Sequence, residues 1–365
     1  MKKKIKIKCV GFWPWFTEEG NYILDLIKEN FDLEICENKE KADYIFCCCG
    51  FGYPYEYVKY PQPRIMFSGE NYVPDFNLID YGVSVYPIEF LDRHVYLPGF
   101  MGHKDYFELP NFRNVTKKIL KEKIYFANLI TGDDDINHMR SKLFYKLSEY
   151  KRVESCGKYL NNMENGFRVE YGKTKIPFQE KTKFTICVNS TNQEGFITEK
   201  IFDAFKSNTI PIYFGSSTVK DIFNDKAYIN CSDYDNLDDV LERVKELDMD
   251  DEKYIAMLRE PIFKNENFLQ EKHEELKRFV KNIFDQPIEK CYRRSREFCA
   301  QDINNFLISV NADTIKKQLV IDKKNKEKQI RKQHIKERIQ QLKSGKKYFR
   351  AFLTWLKHFW FLYFK

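Results

Sequence analysis

The chain has 365 residues, of which 43% are hydrophobic, 16% aromatic and 32% charged. That composition supports a large core and excludes bulk disorder, collagen-like repeats and a multi-pass membrane protein. The formal net charge of +7 is the sum of two unlike parts: residues 314–365 carry 16 Lys+Arg against 3 Asp+Glu, a net of +13, and residues 1–313 carry 45 against 51, a net of −6.

Ile5–Val10 alternates Lys with apolar residues and reads as a first strand. The basic start MKKKIKIKCVGF contains no apolar stretch of the length a secretory signal needs, so none is expected. Gly20–Asn30 reads as a helix, with Tyr22, Ile23, Leu26 and Ile27 on one face. Asp32–Cys36 and Tyr44–Cys48 read as further strands. Cys47, Cys48 and Cys49 end the latter and are expected to be small buried fillers. The ten cysteines include no CxxC pair, which speaks against a zinc ribbon or thioredoxin-like motif and suits a reducing compartment. Residues 53–63 (YPYEYVKYPQP) form a loop, and Arg64–Phe67 is a strand running into Ser-Gly-Glu-Asn.

A second alternating block begins near Lys121. Lys123–Leu129 reads as a strand and Ile136–Tyr150 as a helix with Met139, Leu143, Phe144 and Leu147 on one face. Lys183–Val188 is a strand. Thr198–Lys206 is a helix that Thr198 is placed to cap. Ile210–Phe214 is a strand closed by Gly215, and Asp238–Leu247 is a further helix. Strands alternating with helices predict parallel sheets. The two blocks, joined near 108–118, predict two facing Rossmann-like domains with a ligand between them. The expected division is 1–118, 119–295, a connecting helix over 296–313 and a tail over 314–365.

Three constellations stand out. Glu70 follows an apolar strand beside Gly69, where a carboxylate can serve as a general base or be a solvated loop residue. The run Asn189-Ser190, then Gly195-Phe196-Ile197-Thr198-Glu199-Lys200, carries a strand through a polar loop into a helix start. Such a place either holds an anion or is an ordinary capped surface helix. Lys200 opposes the helix dipole there and makes more sense facing an anion. The loop is neither GxGxxG nor a Walker motif. Arg140 is either a surface charge or, if the blocks face each other, a bidentate phosphate clamp.

Together these residues resemble the α1,3/α1,4-fucosyltransferase family, particularly its bacterial Lewis-antigen members. The resemblance rests on Gly69-Glu70-Asn71 ahead of PDFNLIDY (residues 74–81). It rests equally on Phe184–Gly215, with Thr-Glu-Lys-Ile followed by Ile-Pro-Ile-Tyr and Gly, and it covers roughly residues 65–290. It implies a GT-B fold with the donor bound mainly by the C-terminal domain. The implied reaction is inverting transfer of L-fucose from β-linked GDP-fucose to an N-acetylglucosamine-containing glycan, such as a lipopolysaccharide acceptor, in α1,3 linkage. By resemblance Glu70 is the base, Arg140 and Lys200 bind the diphosphate, Glu199 binds ribose, Asn189 binds the nucleotide, and Phe196 holds a position usually occupied by Tyr. No metal or other cofactor is implied; GDP-fucose is the donor substrate.

The sequence departs from the family pattern at Val188, where the family has Glu, and in one extra residue between Asn189 and Glu199. These departures keep open a transferase for another GDP-sugar, or a catalytically weak glycan- or membrane-binding relative.

Residues 348–365 (YFRAFLTWLKHFWFLYFK) are too short and too charged to span a bilayer. As a helix they place Phe352, Trp355, Phe359 and Leu362 near one face and Arg350, Lys357 and Lys365 for lipid head groups. Residues 314–365 are thus expected to be a basic amphipathic tail on an anionic membrane surface. Peripheral attachment at the cytoplasmic face of the inner membrane follows, with nucleic acid not expected as a partner.

Overall fold

The structure, a computed structural model, describes residues 2–13, 16–37, 41–48, 55–102, 109–309 and most of 320–335. Two parallel sheets form, as the alternation of strands and helices predicts. The first contains β1 (Lys4–Val10), β2 (Asp32–Ile35), β3 (Tyr44–Cys48), β4 (Arg64–Ser68), β5 (Tyr81–Ser84) and β6 (His94–Tyr96), in the order β2-β1-β3-β4-β5-β6. The second contains β7 (Tyr125–Leu129), β8 (Val153–Ser155), β9 (Thr182–Val188), β10 (Ile210–Phe214) and β11 (Ile229–Asn230), in the order β11-β10-β9-β7-β8. Every strand pair is parallel.

Each sheet runs outward in both directions from a switch point, between β1 and β3 in one and between β7 and β9 in the other. Loops leaving the strands on either side of such a point diverge and open a crevice at the strands' C-terminal ends. That places the loops after β1, β4, β7 and β9 where ligands bind.

Helix α1 (Tyr22–Asn30) begins at Asn21, whose side chain accepts the backbone N–H of Leu24, and buries Tyr22, Ile23, Leu26 and Ile27. Helix α2 (Met139–Ser148) starts three residues later than its apolar periodicity predicts. The preceding aspartates take over its first donors: Asp135 Oδ1 accepts from Arg140 N at 2.8 Å and Asp134 Oδ1 from Ser141 N at 3.3 Å. In the 53–63 loop a 3-10 turn forms over Glu56–Lys59. Cys47 and Cys48 are buried free thiols in β3, and Cys49 lies outside the described residues.

Three further helices follow α2: α3 (Lys175–Gln179), α4 (Glu199–Lys206) and α5 (Val219–Ile222). After α6 (Leu237–Met249) and α7 (Asp251–Arg259), α8 (Phe268–Asp285) returns to the first sheet. Its Phe284 ring packs edge-on against Tyr44 and Phe31, at 4.8 and 5.6 Å between centroids. Chain order puts α8 with the second sheet, but its apolar face finds its partners on the first. The segment behind it is locked by Asp80, fully buried, which accepts the backbone N–H groups of Arg64, Arg293 and Arg294 and pairs with the Arg294 guanidinium.

Helix α9 (Cys299–Ser309) falls within the span expected for a connecting helix. The first compact unit, Met1–Asn304, holds both sheets, and a second runs from Asn305 to Lys365. The amphipathic stretch 348–365 lies outside the described residues. Among the described residues no helix is long and apolar enough to cross a membrane.

One glycine decides how the sheets meet. Gly195 has φ +77°, and a Cβ there would lie 2.3 Å from the Val85 carbonyl oxygen. Gly195→Ala is expected to destabilise the protein by roughly 1–3 kcal/mol through backbone strain, with the clash adding to it. Gly132→Ala, with open space around it, serves as the neutral control. Equal thermal midpoints for the two variants would refute this role.

Candidate active site

The loop from Asn189 to Thr198 leaves β9 at the second switch point and crosses to the first sheet. Asn189 braces it from within: its Nδ2 donates to the Phe196 carbonyl at 2.7 Å and to the Tyr213 hydroxyl at 2.9 Å, and its Oδ1 accepts from Thr198 Oγ1 at 2.7 Å. Thr198 is the N-cap residue of α4, but its hydroxyl is committed to Asn189 and makes no cap hydrogen bond. Across the cleft, Tyr96 donates to the Gly195 carbonyl at 3.0 Å and the Phe100 N–H to the Ile197 carbonyl at 3.2 Å. Asn71 donates to Thr191 Oγ1 at 3.2 Å and accepts from the Tyr86 hydroxyl. The C-terminal ends of the two sheets are thereby tied through one loop.

This tie brings Glu70, Glu199 and Lys200 into one electrostatic neighbourhood. Glu70 stands two residues past β4. Its carbonyl is pinned by the Tyr72 N–H at 2.7 Å and by Ser68 Oγ at 3.2 Å. Its side chain is accessible to solvent, yet the cleft walls strip part of its hydration. That desolvation raises its pKa above the ordinary carboxylate value; the Glu199 charge raises it further and Lys200 opposes both.

Glu199 opens α4. Burial pushes its carboxyl up, but Lys200, Lys175, the Tyr171 hydroxyl and its own backbone N–H together hold it down at about 2. The Lys200 ammonium lies 3.4 Å from Glu199 Oε1. Lys200 is thus balanced by an adjacent carboxylate at the helix start, where a cation alone is disfavoured.

Arg140, only 3% exposed, bridges the second switch point. Its Nε and Nη2 donate to the Val188 carbonyl at 3.2 and 3.1 Å, and its Nη1 pairs with the exposed Asp133 carboxylate at 3.0 Å. It is not a surface charge; its guanidinium is held rigidly, with one exposed counter-ion. The Val188 side chain packs in the apolar core of the second sheet and offers the site only its carbonyl. Phe196 is likewise buried, and its carbonyl serves Asn189. Asn189 spends its side-chain hydrogen bonds on the loop and on Tyr213 of β10, which makes it a brace in this structure.

Three groups lack a sequence motif. Lys175 and Asp203 form a buried ion pair at 2.6 Å behind Glu199, and the Tyr171 hydroxyl donates to Glu199. The i, i+4 spacing of Tyr171 and Lys175 is the one sequence signal that pairs them. A cavity of about 310 Å³, lined by Trp13, Phe16, Asn21, Ser68, Gly69 and Gly99, among others, reaches the residue before Glu70. Its aromatic wall comes from Trp13 and Phe16 of the loop after β1 and from Phe67 of β4. Among the described residues no group of three or more His, Cys, Asp or Glu is placed to hold a metal ion.

Two family models match the chain in tandem: the alpha-(1,3)-fucosyltransferase FucT N-terminal domain over residues 7–103, and the C-terminal part of glycosyltransferase family 10 (fucosyltransferase) over residues 120–282. The chain belongs to glycosyltransferase family 10. The family-10 chain is 28% identical over 230 residues to the alpha-(1,3)-fucosyltransferase FucT of Helicobacter pylori, covering 54% of this chain but 46% of that protein. It therefore spans less than half the length of that curated relative.

The fold is GT-B, shared with a solved alpha1,3-fucosyltransferase at TM-score 0.65 and 22% identity, covering 81% of this chain and 93% of the other. A structure described as alpha1,3-fucosyltransferase with GDP-fucose matches at TM-score 0.60 and 22% identity, over 77% and 92% of the two chains.

The coupling across the cleft has a sign that titration can read. With Glu70 labelled for carboxyl NMR, its midpoint is expected above the ordinary 4.5. Glu199→Gln removes a like charge and should lower that midpoint; Lys200→Met removes an opposite charge and should raise it. A Glu70 midpoint that neither variant moves would show that the two sides do not interact.

Proposed function

We propose that the protein transfers L-fucose from GDP-fucose, with inversion, to a hydroxyl of an N-acetylglucosamine-containing glycan, in α1,3 linkage on a Lewis-type or lipopolysaccharide acceptor. The observation that carries this is the pairing of Glu70, raised in pKa, with the Lys200 and Glu199 charges at the start of α4, in a family-10 chain. A carboxylate with elevated pKa is a better proton acceptor than an ordinary one.

In this reading Glu70 takes the acceptor hydroxyl proton as that oxygen bonds to the anomeric carbon. The bond from that carbon to the phosphate oxygen breaks, and GDP leaves with the electron pair. Lys200 and Arg140 stabilise the charge that develops on the diphosphate. To reach it, the diphosphate takes over from Asp133 and Glu199 as the anion opposite these cations. Glu199 accepts hydrogen bonds from ribose hydroxyls, and Asn189 and Phe196 shape the loop around the nucleotide. The aromatic cavity that ends at Gly69, the residue before Glu70, suits the apolar face of an acceptor sugar.

Calorimetry and turnover test this together. GDP should bind the wild type, and the Glu70→Gln variant should keep that affinity while losing transfer from GDP-fucose by about 10²–10⁴-fold. Unimpaired transfer in the variant would remove Glu70 as the base. Absence of GDP binding in the wild type would remove the transferase reading, and selective turnover of another GDP-sugar would replace fucose as the donor.

The charge of +13 in residues 314–365 supports peripheral attachment to the cytoplasmic face of an anionic membrane, where each cation contributes about 1 kcal/mol. Deleting 348–365 should move the protein from membrane to soluble fractions and leave transfer to soluble acceptors intact. An unchanged membrane fraction would refute the tail as the anchor.

A further inference from the structure

Beneath Glu199 sits a cation that none of the sequence motifs includes. Lys175 opens α3 and is 3% exposed. Its ammonium lies 2.6 Å from Asp203 Oδ2, 3.1 Å from the Tyr171 hydroxyl and 3.8 Å from Glu199 Oε1. It also stands 4.2 Å from the centroid of the Tyr171 ring. The contacts from Lys175, Lys200 and the Tyr171 hydroxyl all converge on Oε1 of Glu199. Oε2 receives none of these three and is the oxygen the side chains leave for a ligand.

We propose that Lys175, backed by Tyr171, is a positioning residue: it fixes the Glu199 carboxylate in the orientation and charge state that accepts hydrogen bonds from the ribose hydroxyls of a nucleoside diphosphate sugar. This rests on the donor-site reading above. Asp203 alone would suffice to neutralise a purely structural lysine. The placement of Lys175 between Asp203 and Glu199, with a tyrosine over it, joins the packing of α3 on α4 to the one carboxylate at the helix start that faces the cleft.

The groups facing Glu199 come from several elements. Tyr171 and Lys175 approach from the segment ending in α3, Lys200 and Asp203 from α4 itself, Glu70 from the loop after β4, and the buried Cys187 thiol from β9. The cations dominate, since the Cys187 thiol is held neutral by burial and Glu70 feels Lys200 as well. Removing Lys175 therefore takes away one of the charges that hold the Glu199 carboxyl down against its burial.

Lys175→Met alone would strand Asp203 as a buried unpaired charge, so the informative variant is Lys175→Met with Asp203→Asn. Asp203→Asn alone serves as the control that keeps Lys175 on Glu199. Calorimetry compares GDP with 2′,3′-dideoxy-GDP for each protein, with thermal midpoints recorded alongside. In the wild type and in Asp203→Asn, GDP should bind roughly tenfold more tightly than the dideoxy nucleotide, as expected for hydroxyls bonded to a charged acceptor. In the double variant that preference should collapse, while dideoxy-GDP binding stays unchanged. Tyr171→Phe should show a smaller loss of the preference.

A double variant that retains the preference overturns the positioning role and leaves the transferase reading standing. Equal weakening of both nucleotides overturns it as well, by assigning Lys175 to folding alone. A wild type that binds neither nucleotide overturns the donor-site reading itself, and with it this inference.

Discussion

The site depends on the contact between the Asn189–Thr198 loop and the first sheet. Each sheet alone offers half a crevice: strand ends, diverging loops and a helix start. A catalytic arrangement requires a carboxylate from one half to stand at a fixed distance from charges on the other. The close approach of Gly195 to the Val85 carbonyl, flanked by the Tyr96 and Phe100 hydrogen bonds, sets that distance. Close backbone packing of this kind needs a residue without a Cβ and with access to positive φ. Asn189 makes the loop stiff enough for the contact to matter, since one amide ties the loop's start, its carbonyl at Phe196 and the cap of α4 together.

Within this frame the cations are held in waiting by carboxylates. Lys200 lies against Glu199, Arg140 against Asp133, and Lys175 against Asp203. Buried ion pairs are poor sources of stability, because desolvation offsets much of their attraction. Their value here is different in each case. Asp133 is 85% exposed on its side chain, so little desolvation is lost when a ligand anion replaces it. Asp203 is buried and cannot be exchanged in that way. The Arg140–Asp133 pair is therefore one that a ligand can displace, and the Lys175–Asp203 pair one that only the fold can satisfy. This explains how a body with net charge −6 keeps concentrated positive charge at its cleft.

Much of this was legible in the chain. The alternation of short apolar runs with amphipathic helices predicts both parallel sheets, and Tyr44–Cys48 and Ile210–Phe214 form with the predicted ends. Glu70, Glu199 and Lys200 are visible because each lies in a motif that couples a strand end to a chemical group. Lys175 is not, because it precedes Glu199 by more than a strand's length and meets it only when α3 packs beside α4. Arg140 was ambiguous for a related reason: the helix pattern shows its face but not that Val188 presents a carbonyl to it. Strands β6, β8 and β11 are two or three residues long and carry no periodicity of their own; neighbouring strands recruit them. The destination of α8 was hidden too, since its apolar face is equally compatible with either sheet until Tyr44 and Phe31 supply a matching surface.

In the proposed mechanism the same geometry links donor and base in a definite direction. Glu70 is raised by the Glu199 charge and lowered by Lys200. An anionic diphosphate seated on Lys200 would cancel the lowering influence and add negative charge near Glu70. Both changes favour the protonated carboxyl and so strengthen Glu70 as a proton acceptor. The empty cleft keeps the weaker base, and the occupied one the stronger. In the proposed mechanism, a helix start that carries both the diphosphate cation and the counter-charge felt by the base thus gains basicity when the donor arrives, with no movement of either sheet.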